Sequence, residues 1–290
     1  MTATPPRPSQ PAQGTPRPAL DPSQMDPPFV LPPTVELRTG IVYARPAGQA
    51  LQLDLFVPKK RPQTRIPWMV YIHGGGWRGG SPRQFWRHAA HFASLGWPGI
   101  TVAYRLAPAH RFPAQLEDVQ AAVRWLRAQG AELGVDPQRI GAAGGSAGGH
   151  LAALLGTTDA VVDGISSRVQ AVVAFNGVFD LPALDSERAA GPRSALLGDD
   201  PRLAIEASPL HQASSQAAPA LLLHGTADET IPFQQAVAFQ RRLREYGVRA
   251  ELYAADGAAH GFFNRPPWYR PTLERMERFL LDVFGPAGSR

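Results

Sequence analysis

Short, strongly apolar segments alternate with segments of helical periodicity along most of the chain, and this alternation constrains the fold more than any other feature. The apolar segments predict strands over 67–73, 99–104, 140–143, 169–175, 220–223 and 250–254. The segments between and after them predict helices over 85–95, 113–133, 233–246 and 272–284, with one more from the turn at 146 to about 156. Strands that are apolar on both faces and alternate with helices form a mostly parallel sheet covered by helices on both sides.

Two segments near the start of the chain, 35–43 and 51–57, instead alternate polar and apolar residues. This period of two predicts an antiparallel hairpin with one solvated face. Together with the six buried strands it gives a doubly wound α/β fold with an eight-stranded sheet.

A proline-rich stretch precedes the first strand. Residues 1–33 contain eleven prolines and almost no apolar periodicity, so they predict a disordered arm, followed by one α/β domain over 34–290. The arm lacks the basic and apolar regions of a secretory signal, and no apolar run approaches the ~18 residues that cross a bilayer. We therefore expect a cytoplasmic protein without a membrane span.

The composition excludes several classes of chemistry. The chain has no cysteine, which rules out disulfides, thiolate catalysis and cysteine-ligated metal or iron–sulfur sites. Its net charge is +5, but the basic residues are scattered and often stand beside acids, as in Glu274-Arg275, so they predict no nucleic-acid groove. We expect a small-molecule substrate, no cofactor and no metal, and leave the oligomeric state open between monomer and dimer.

A Gly-x-Ser-x-Gly pattern is centred on Ser146, between a predicted strand and a predicted helix. Small neighbours are required where a serine occupies a sharp strand-to-helix turn that exposes its hydroxyl at the end of a sheet. The pattern therefore predicts a nucleophilic serine. For the segment alone, a glycine-rich turn with the serine as helix N-cap is the alternative.

Reactive side chains of such a sheet lie just beyond the carboxyl ends of its strands, and a glycine triplet follows one of them. In His73-Gly-Gly-Gly-Trp77 the bare backbone leaves N–H groups free to converge on an oxyanion. The predicted donors are the amides of Gly75, Gly76 and Ala147. The alternative is a flexible loop beside a packed Trp77.

A general base and an orienting acid are predicted after the last two strands. His260 lies in a Gly/Ala-rich loop that can present its imidazole over the sheet, and Asp228 lies five residues beyond the apolar run 220–223. Asp256 and Asp180 are weaker candidates for the acid. Serine, aspartate and histidine then follow in the chain order of an α/β-hydrolase.

Three aromatic residues flank these loops: Trp77, Phe262 and Phe263. Large aromatic side chains in such positions line an acyl or alcohol pocket in many sites, but they also form cores. We predict substrate binding for all three and keep core packing as the alternative.

Several motifs together resemble the α/β-hydrolase-fold carboxylesterases, in particular the bacterial hormone-sensitive-lipase-like and the acetyl-xylan/feruloyl-esterase-like groups. The matching segments are His73-Gly-Gly-Gly-Trp77, Tyr104-Arg-Leu-Ala-Pro108 with Asp118, Gly144-Gly-Ser-Ala-Gly-Gly-His-Leu151, His224-Gly-Thr-Ala-Asp228 and Gly257-Ala-Ala-His-Gly261. The resemblance implies a serine esterase that acts on small to medium acyl esters through an acyl-enzyme. An amidase, arylformamidase-like enzyme or peptidase on the same scaffold is the alternative, and a non-catalytic binding protein a more remote one.

Two departures refine the resemblance. Gly145 stands where the hormone-sensitive-lipase-like pattern has an acid, and the continuation Gly148-Gly-His-Leu151 looks more like the acetyl-xylan/feruloyl-esterase-like group. The arm over 1–33 is proline-rich, whereas relatives with an N-terminal cap have amphipathic segments there. We therefore expect a small or absent cap, contributed mainly by residues 181–215, and an open site that suits small, water-soluble esters.

Overall fold

Strands and helices follow one another in the predicted order in a computed structural model, which describes residues 29–60, 64–198 and 200–286. The strands are β1 Val35–Ala44, β2 Leu51–Pro58, β3 Ile66–Ile72, β4 Gly99–Val102, β5 Val135–Gly145, β6 Ala171–Phe175, β7 Ala220–Gly225 and β8 Ala250–Ala255. The helices are α1 Trp86–Ser94, α2 Ala114–Ala128, α3 Gly130–Leu133, α4 Ala147–Thr157, α5 Glu187–Leu197, α6 Pro201–Glu206, α7 Pro209–Gln212, α8 Gln234–Glu245 and α9 Tyr269–Phe284.

All eight strands form one sheet in the order β1-β2-β4-β3-β5-β6-β7-β8. The pairs β1/β2 and β2/β4 are antiparallel, and every other neighbouring pair is parallel. In register, Ile72 of β3 lies beside Gly144 of β5, and Gly145 lies beside Phe175 of β6. The carboxyl ends of these three strands therefore meet at one edge of the sheet, which confirms the predicted placement of the loops that follow them.

Each face of the sheet has its own core, because successive residues of a strand point to opposite sides. In β3, Trp68, Val70 and Ile72 join the core beneath α2, α4 and α8, whereas Met69 and Tyr71 join the core beneath α1 and α9. Burying each large side chain stabilises the fold by roughly 1.5–3 kcal/mol. This explains why the inner strands are apolar throughout.

The predicted helix over 113–133 is divided in two. Gln129 (φ −81°, ψ 1°) separates α2 from the single turn of α3, which ends at Gly134 with φ +73°. A glycine at position 130 weakens helix propagation at this point, since glycine costs about 1 kcal/mol relative to alanine in a helix. The last helix begins at Tyr269, three residues before its predicted start.

The N-terminal arm falls largely outside the described residues, which begin at residue 29. Phe29 and Leu31, within the predicted arm, pack against the core beneath α1, and the Phe29 ring meets Trp86 edge-on at 5.4 Å. The segment predicted to form a small cap, 181–215, contains the short helices α5, α6 and α7 between β6 and β7. Among the described residues, none of the helices combines the length and apolar character needed to cross a bilayer.

Candidate active site

Ser146 occupies a strained turn between β5 and α4, with φ 54° and ψ −118°. The turn brings backbone atoms too close together for any side chain larger than hydrogen. A Cβ atom on Gly144 would lie 2.2 Å from the carbonyl oxygen of Gly148, and one on Gly148 would lie 2.0 Å from that of Ile72. A strained residue of this kind costs roughly 1–3 kcal/mol, so the surrounding packing must hold it in place.

The turn brings Ser146 together with His260 and Asp228, although these residues are far apart in the sequence. The Ser146 hydroxyl lies 3.0 Å from Nε2 of His260, and Nδ1 of His260 lies 2.7 Å from Oδ2 of Asp228. The carboxylate accepts a hydrogen bond from Nδ1–H, which leaves Nε2 as the acceptor that faces the serine. The arrangement can therefore withdraw the serine proton.

The Asp228 carboxylate is fully buried, and both of its oxygens accept hydrogen bonds. Its Oδ1 accepts the backbone N–H groups of Thr230 and Ile231, each at 2.9 Å. Burial alone would raise the pKa of Asp228, but hydrogen bonds from His224, His260 and the Ile231 amide hold it well below its usual value. The side chain is thus a permanent anion that can orient His260 and stabilise its positive charge.

The two weaker candidates for the acid lie elsewhere in the structure. Asp256 accepts a hydrogen bond from the Thr226 hydroxyl at 3.2 Å and is exposed. Asp180 faces His211 at 3.3 Å. Neither carboxylate contacts His260.

The glycine loop after β3 adopts backbone angles that favour glycine, with φ +120° at Gly75 and +61° at Gly76. Among the described residues, no protein acceptor takes the N–H group of either residue. Ala147 begins α4, and the first N–H groups of a helix have no partner within it. Gly75 and Gly76 also line the same cavity as Ser146, so these amides are available to an oxygen bound there.

Buried polar contacts brace this loop. The N–H of Gly74 donates to Oε1 of Gln84 at 2.6 Å, and the Tyr104 hydroxyl donates to the carbonyl of His73 at 2.9 Å. Burial lowers the pKa of His73 to about 4, so its ring is neutral and its Nδ1–H donates to the Gly74 carbonyl. These three contacts hold the start of the loop in place.

Contacts of the residue after Tyr104 fix the position of the Tyr104 hydroxyl. Both the backbone N–H and Nε of Arg105 donate to the Asp118 carboxylate, at 2.8 and 2.9 Å. This ion pair connects the loop after β4 to α2. It thereby fixes the position of Tyr104, whose hydroxyl donates to the carbonyl of His73.

A second histidine connects the loop to the cap segment. The indole N–H of Trp77 donates to Nδ1 of His150 at 3.2 Å, and Nε2–H of His150 donates to the carbonyl of Ala207 at 2.6 Å. Burial lowers the pKa of His150 to about 4, which keeps Nδ1 free to accept. His150 therefore positions Trp77 between α4 and the segment that contains α6 and α7.

A cavity of about 1200 Å³ opens over Ser146 and His260. Of the three predicted aromatic residues, Trp77 and Phe263 line it. Phe262 does not line the cavity and packs edge-on against Trp268 at 6.0 Å instead. Phe262 and Phe263 lie in a 3₁₀ turn, where successive side chains diverge by about 120°.

The sequence of this chain matches a known protein family. Residues 53–243, about two thirds of the chain, match the BD-FAE family. The chain belongs to the BD-FAE family. The carboxylesterase resemblance of the sequence motifs is thereby confirmed.

Individual relatives of this BD-FAE protein are esterases. Esterase LipC of Mycobacterium tuberculosis is 32% identical over 244 residues, which are 78% of this chain and 60% of LipC. The ethyl acetate hydrolase of Pseudomonas putida is 32% identical over 235 residues, covering 74% of this chain and 72% of that enzyme. The chain spans about three fifths of the length of LipC and of the related esterase LipQ.

A solved structure of the thermophilic esterase Est2 from Thermogutta terrifontis has the same fold. It matches with a TM-score of 0.75 and 33% identity, over 87% of this chain and 94% of Est2. This overlap confirms the α/β-hydrolase fold for the BD-FAE chain.

The sequence motifs did not single out Asn176, the first residue after β6. It is fully buried at φ +39°, and its Nδ2 lies 3.4 Å from Nε2 of His260. Its Oδ1 has no hydrogen-bond partner among the described residues. Two signals in the sequence could have identified Asn176 as a site residue. It follows the carboxyl end of a predicted strand, and asparagine tolerates left-handed backbone angles.

Within the described residues, no group of three or more histidine, aspartate or glutamate side chains is arranged to hold a metal ion.

Proposed function

We propose that this protein hydrolyses carboxylic esters with small to medium acyl groups through an acyl-enzyme on Ser146. The observation that carries the proposal is the continuous hydrogen-bond chain from Ser146 through His260 to the buried Asp228, at 3.0 and 2.7 Å, beneath an open cavity. The family and the esterase relatives support the same reaction class.

The proposed reaction begins when Nε2 of His260 takes the proton of Ser146 as its oxygen attacks the ester carbonyl. Asp228 holds the imidazole in the required tautomer and stabilises the imidazolium that forms. His260 then gives its proton to the departing alcohol, which leaves the acyl group on Ser146. Water repeats the sequence and releases the acid.

The negative charge that develops on the carbonyl oxygen is held by the amides of Gly75, Gly76 and Ala147. These donors are set in place before the substrate arrives, because the braced loop and the start of α4 are both rigid parts of the fold. Removing one such donor typically lowers turnover by about 10²–10³-fold.

The acyl preference is proposed from relatives and from the open site. One relative is an ethyl acetate hydrolase, and Est2 has been solved with propionate and with butyrate bound. From these short acyl groups we propose that the present chain also acts on esters of short acyl groups.

Amide hydrolysis is a second candidate. The arylacetamide deacetylase of mouse is 36% identical over 130 residues, which are 42% of this chain. The same triad serves amides, provided that His260 protonates the poorer leaving group effectively.

A substrate panel tests both candidates. It comprises p-nitrophenyl esters from acetyl to dodecanoyl, together with acetanilides and N-formylkynurenine. We expect acetyl and butyryl esters to react fastest, and Ser146→Ala to abolish their turnover while its unfolding transition stays close to that of the wild type. Undiminished turnover in Ser146→Ala would refute the mechanism, and faster turnover of amides than of short esters would favour the second candidate.

A further inference from the structure

The side chains that line the cavity separate into two groups of different character. An apolar side is formed by the segment that contains α5 and by residues after β6 and β7: Val178, Leu184, Ala189, Pro192 and Ile231. A basic side is formed by residues at the start of α1 and in the loop after His260: Gln84, Arg87, Asn264, Arg265 and Pro266.

Both sides begin next to the reacting groups. On the apolar side, Gly76 lies against Pro192, since a Cβ on Gly76 would be 3.1 Å from the Pro192 Cβ. On the basic side, a Cβ on Gly74 would lie 3.3 Å from the Ser146 Cβ and 3.4 Å from Oε1 of Gln84. An ester bound at Ser146 therefore directs one of its two parts, acyl or alcohol, toward each side of the cavity. Each part is called an arm of the ester below.

The guanidinium of Arg87 is fixed at the edge of the basic side. It lies 3.9 Å from the centre of the Tyr269 ring, and its Nη1 donates to the carbonyl of Asn264 at 3.3 Å. These contacts orient the charge before any ligand arrives, which lowers the entropy cost of binding.

Arg265, the next residue after Asn264, adds a second positive charge. Its side chain is exposed at the cavity mouth and makes no ion pair among the described residues. Arg188, on the apolar side, differs because Glu229 lies 2.7 Å from it. The described residues that line the cavity include no aspartate or glutamate.

We propose that the substrate is an ester that carries an anionic group, such as a carboxylate or phosphate, on the arm that lies along the basic side. This inference rests on the proposed esterase function and names its substrate class. Arg265 and Arg87 hold the anion, while the apolar side takes the uncharged arm. The anion takes no part in bond breaking, so its contacts strengthen substrate binding and therefore lower KM.

Two matched substrate pairs test the proposal and show which arm bears the charge. For the alcohol arm, 4-acetoxybenzoate is compared with 4-acetoxybenzamide. For the acyl arm, mono-p-nitrophenyl adipate is compared with p-nitrophenyl hexanoate. The variants are Arg265→Gln, with Arg188→Gln as the matched control on the other side of the cavity.

We expect the wild type to prefer the anionic member of at least one pair by about three- to tenfold in kcat/KM, the size of one or two partly screened charge contacts. Arg265→Gln should reduce that preference at least twofold through KM, Arg188→Gln should retain it, and added salt should weaken it in the wild type. Arg87→Gln provides a second variant with the same expected direction.

Equal kcat/KM for both members of both pairs in the wild type, or a preference unchanged in Arg265→Gln, would overturn the inference. Failure of the proposed function gives a different result. In that case the neutral esters are not hydrolysed, or are hydrolysed equally well by Ser146→Ala.

Discussion

Asp228→Asn is the substitution whose effect follows most directly from the geometry of the site. In the wild type, Oδ1 accepts the N–H groups of Thr230 and Ile231, and Oδ2 accepts Nδ1–H of His260 at 2.7 Å. An asparagine keeps its oxygen on the two backbone donors, because the opposite orientation would set an NH₂ group against both. Its NH₂ group then faces Nδ1 of His260.

This arrangement forces the wrong tautomer on the imidazole. Nδ1 becomes the acceptor and Nε2 carries the proton, so Nε2 cannot take the proton of the Ser146 hydroxyl 3.0 Å away. The equivalent change in a serine protease lowers kcat by about 10⁴-fold, which corresponds to about 5.5 kcal/mol of transition-state stabilisation. We expect a loss of this size in kcat with little change in KM.

The assay is steady-state hydrolysis of p-nitrophenyl acetate, with urea unfolding as the control for folding. Losing the charge-assisted part of the hydrogen bonds should cost about 1–2 kcal/mol of stability, which leaves a folded protein. Asp256→Asn is the matched control, because that carboxylate is exposed and bonded to Thr226, and it should retain activity. A loss of less than tenfold in Asp228→Asn, or an equal loss in both variants, would refute the reasoning.

Three further predictions concern stability and domain organisation. Burial lowers the pKa of His88 to about 3 and the pKa values of His73 and His150 to about 4, whereas an unfolded histidine takes a proton near pH 6.5. The free energy of unfolding should therefore fall as the pH drops from about 6.5 toward 4, by up to about 4 kcal/mol per pH unit from these three groups. Urea unfolding of the wild type and of His88→Leu should show a shallower slope in the variant. Gly148→Ala should lower expression of folded protein and abolish activity, because its Cβ would lie 2.0 Å from the Ile72 carbonyl, and thermal melting measures the loss. Deletion of residues 1–28 should leave kcat/KM for p-nitrophenyl butyrate unchanged, because this proline-rich part of the sequence has almost no apolar periodicity with which to form a packed element.

Each of these has a clear contrary result. Stability that does not change between pH 7 and 5 would contradict the buried neutral histidines. A Gly148→Ala variant with wild-type melting would contradict the tight turn around Ser146. A large loss of activity on deletion of the arm would show that residues 1–28 reach the site.

Much of the fold could be predicted from the sequence because the inner strands are buried on both faces. All seven residues of β3 are buried, so the run stands out against the helical periodicity around it. The order of Ser146, Asp228 and His260 followed from the same feature. Residues just beyond the ends of neighbouring parallel strands must meet, whatever their separation in the chain.

Other parts of the site depend on contacts that a local pattern does not encode. Gln84 supports Gly74 across ten residues, and Asn176 reaches His260 only because β6 lies two strands from β8. Phe262 and Phe263 are identical neighbours in the sequence, and the rotation of a 3₁₀ turn alone decides that Phe263 lines the cavity. Tertiary geometry, rather than residue type, assigns these roles.

Acyl trapping on Ser146 tests the central claim most directly. Wild type and Ser146→Ala are mixed with p-nitrophenyl acetate, quenched with acid within the first turnover, and mapped by peptide mass spectrometry. The account predicts one added acetyl group on the peptide that contains Ser146 in the wild type, together with a burst of p-nitrophenol, and neither signal in the variant. An acetyl group on another residue, or hydrolysis in the variant at the wild-type rate, would contradict it.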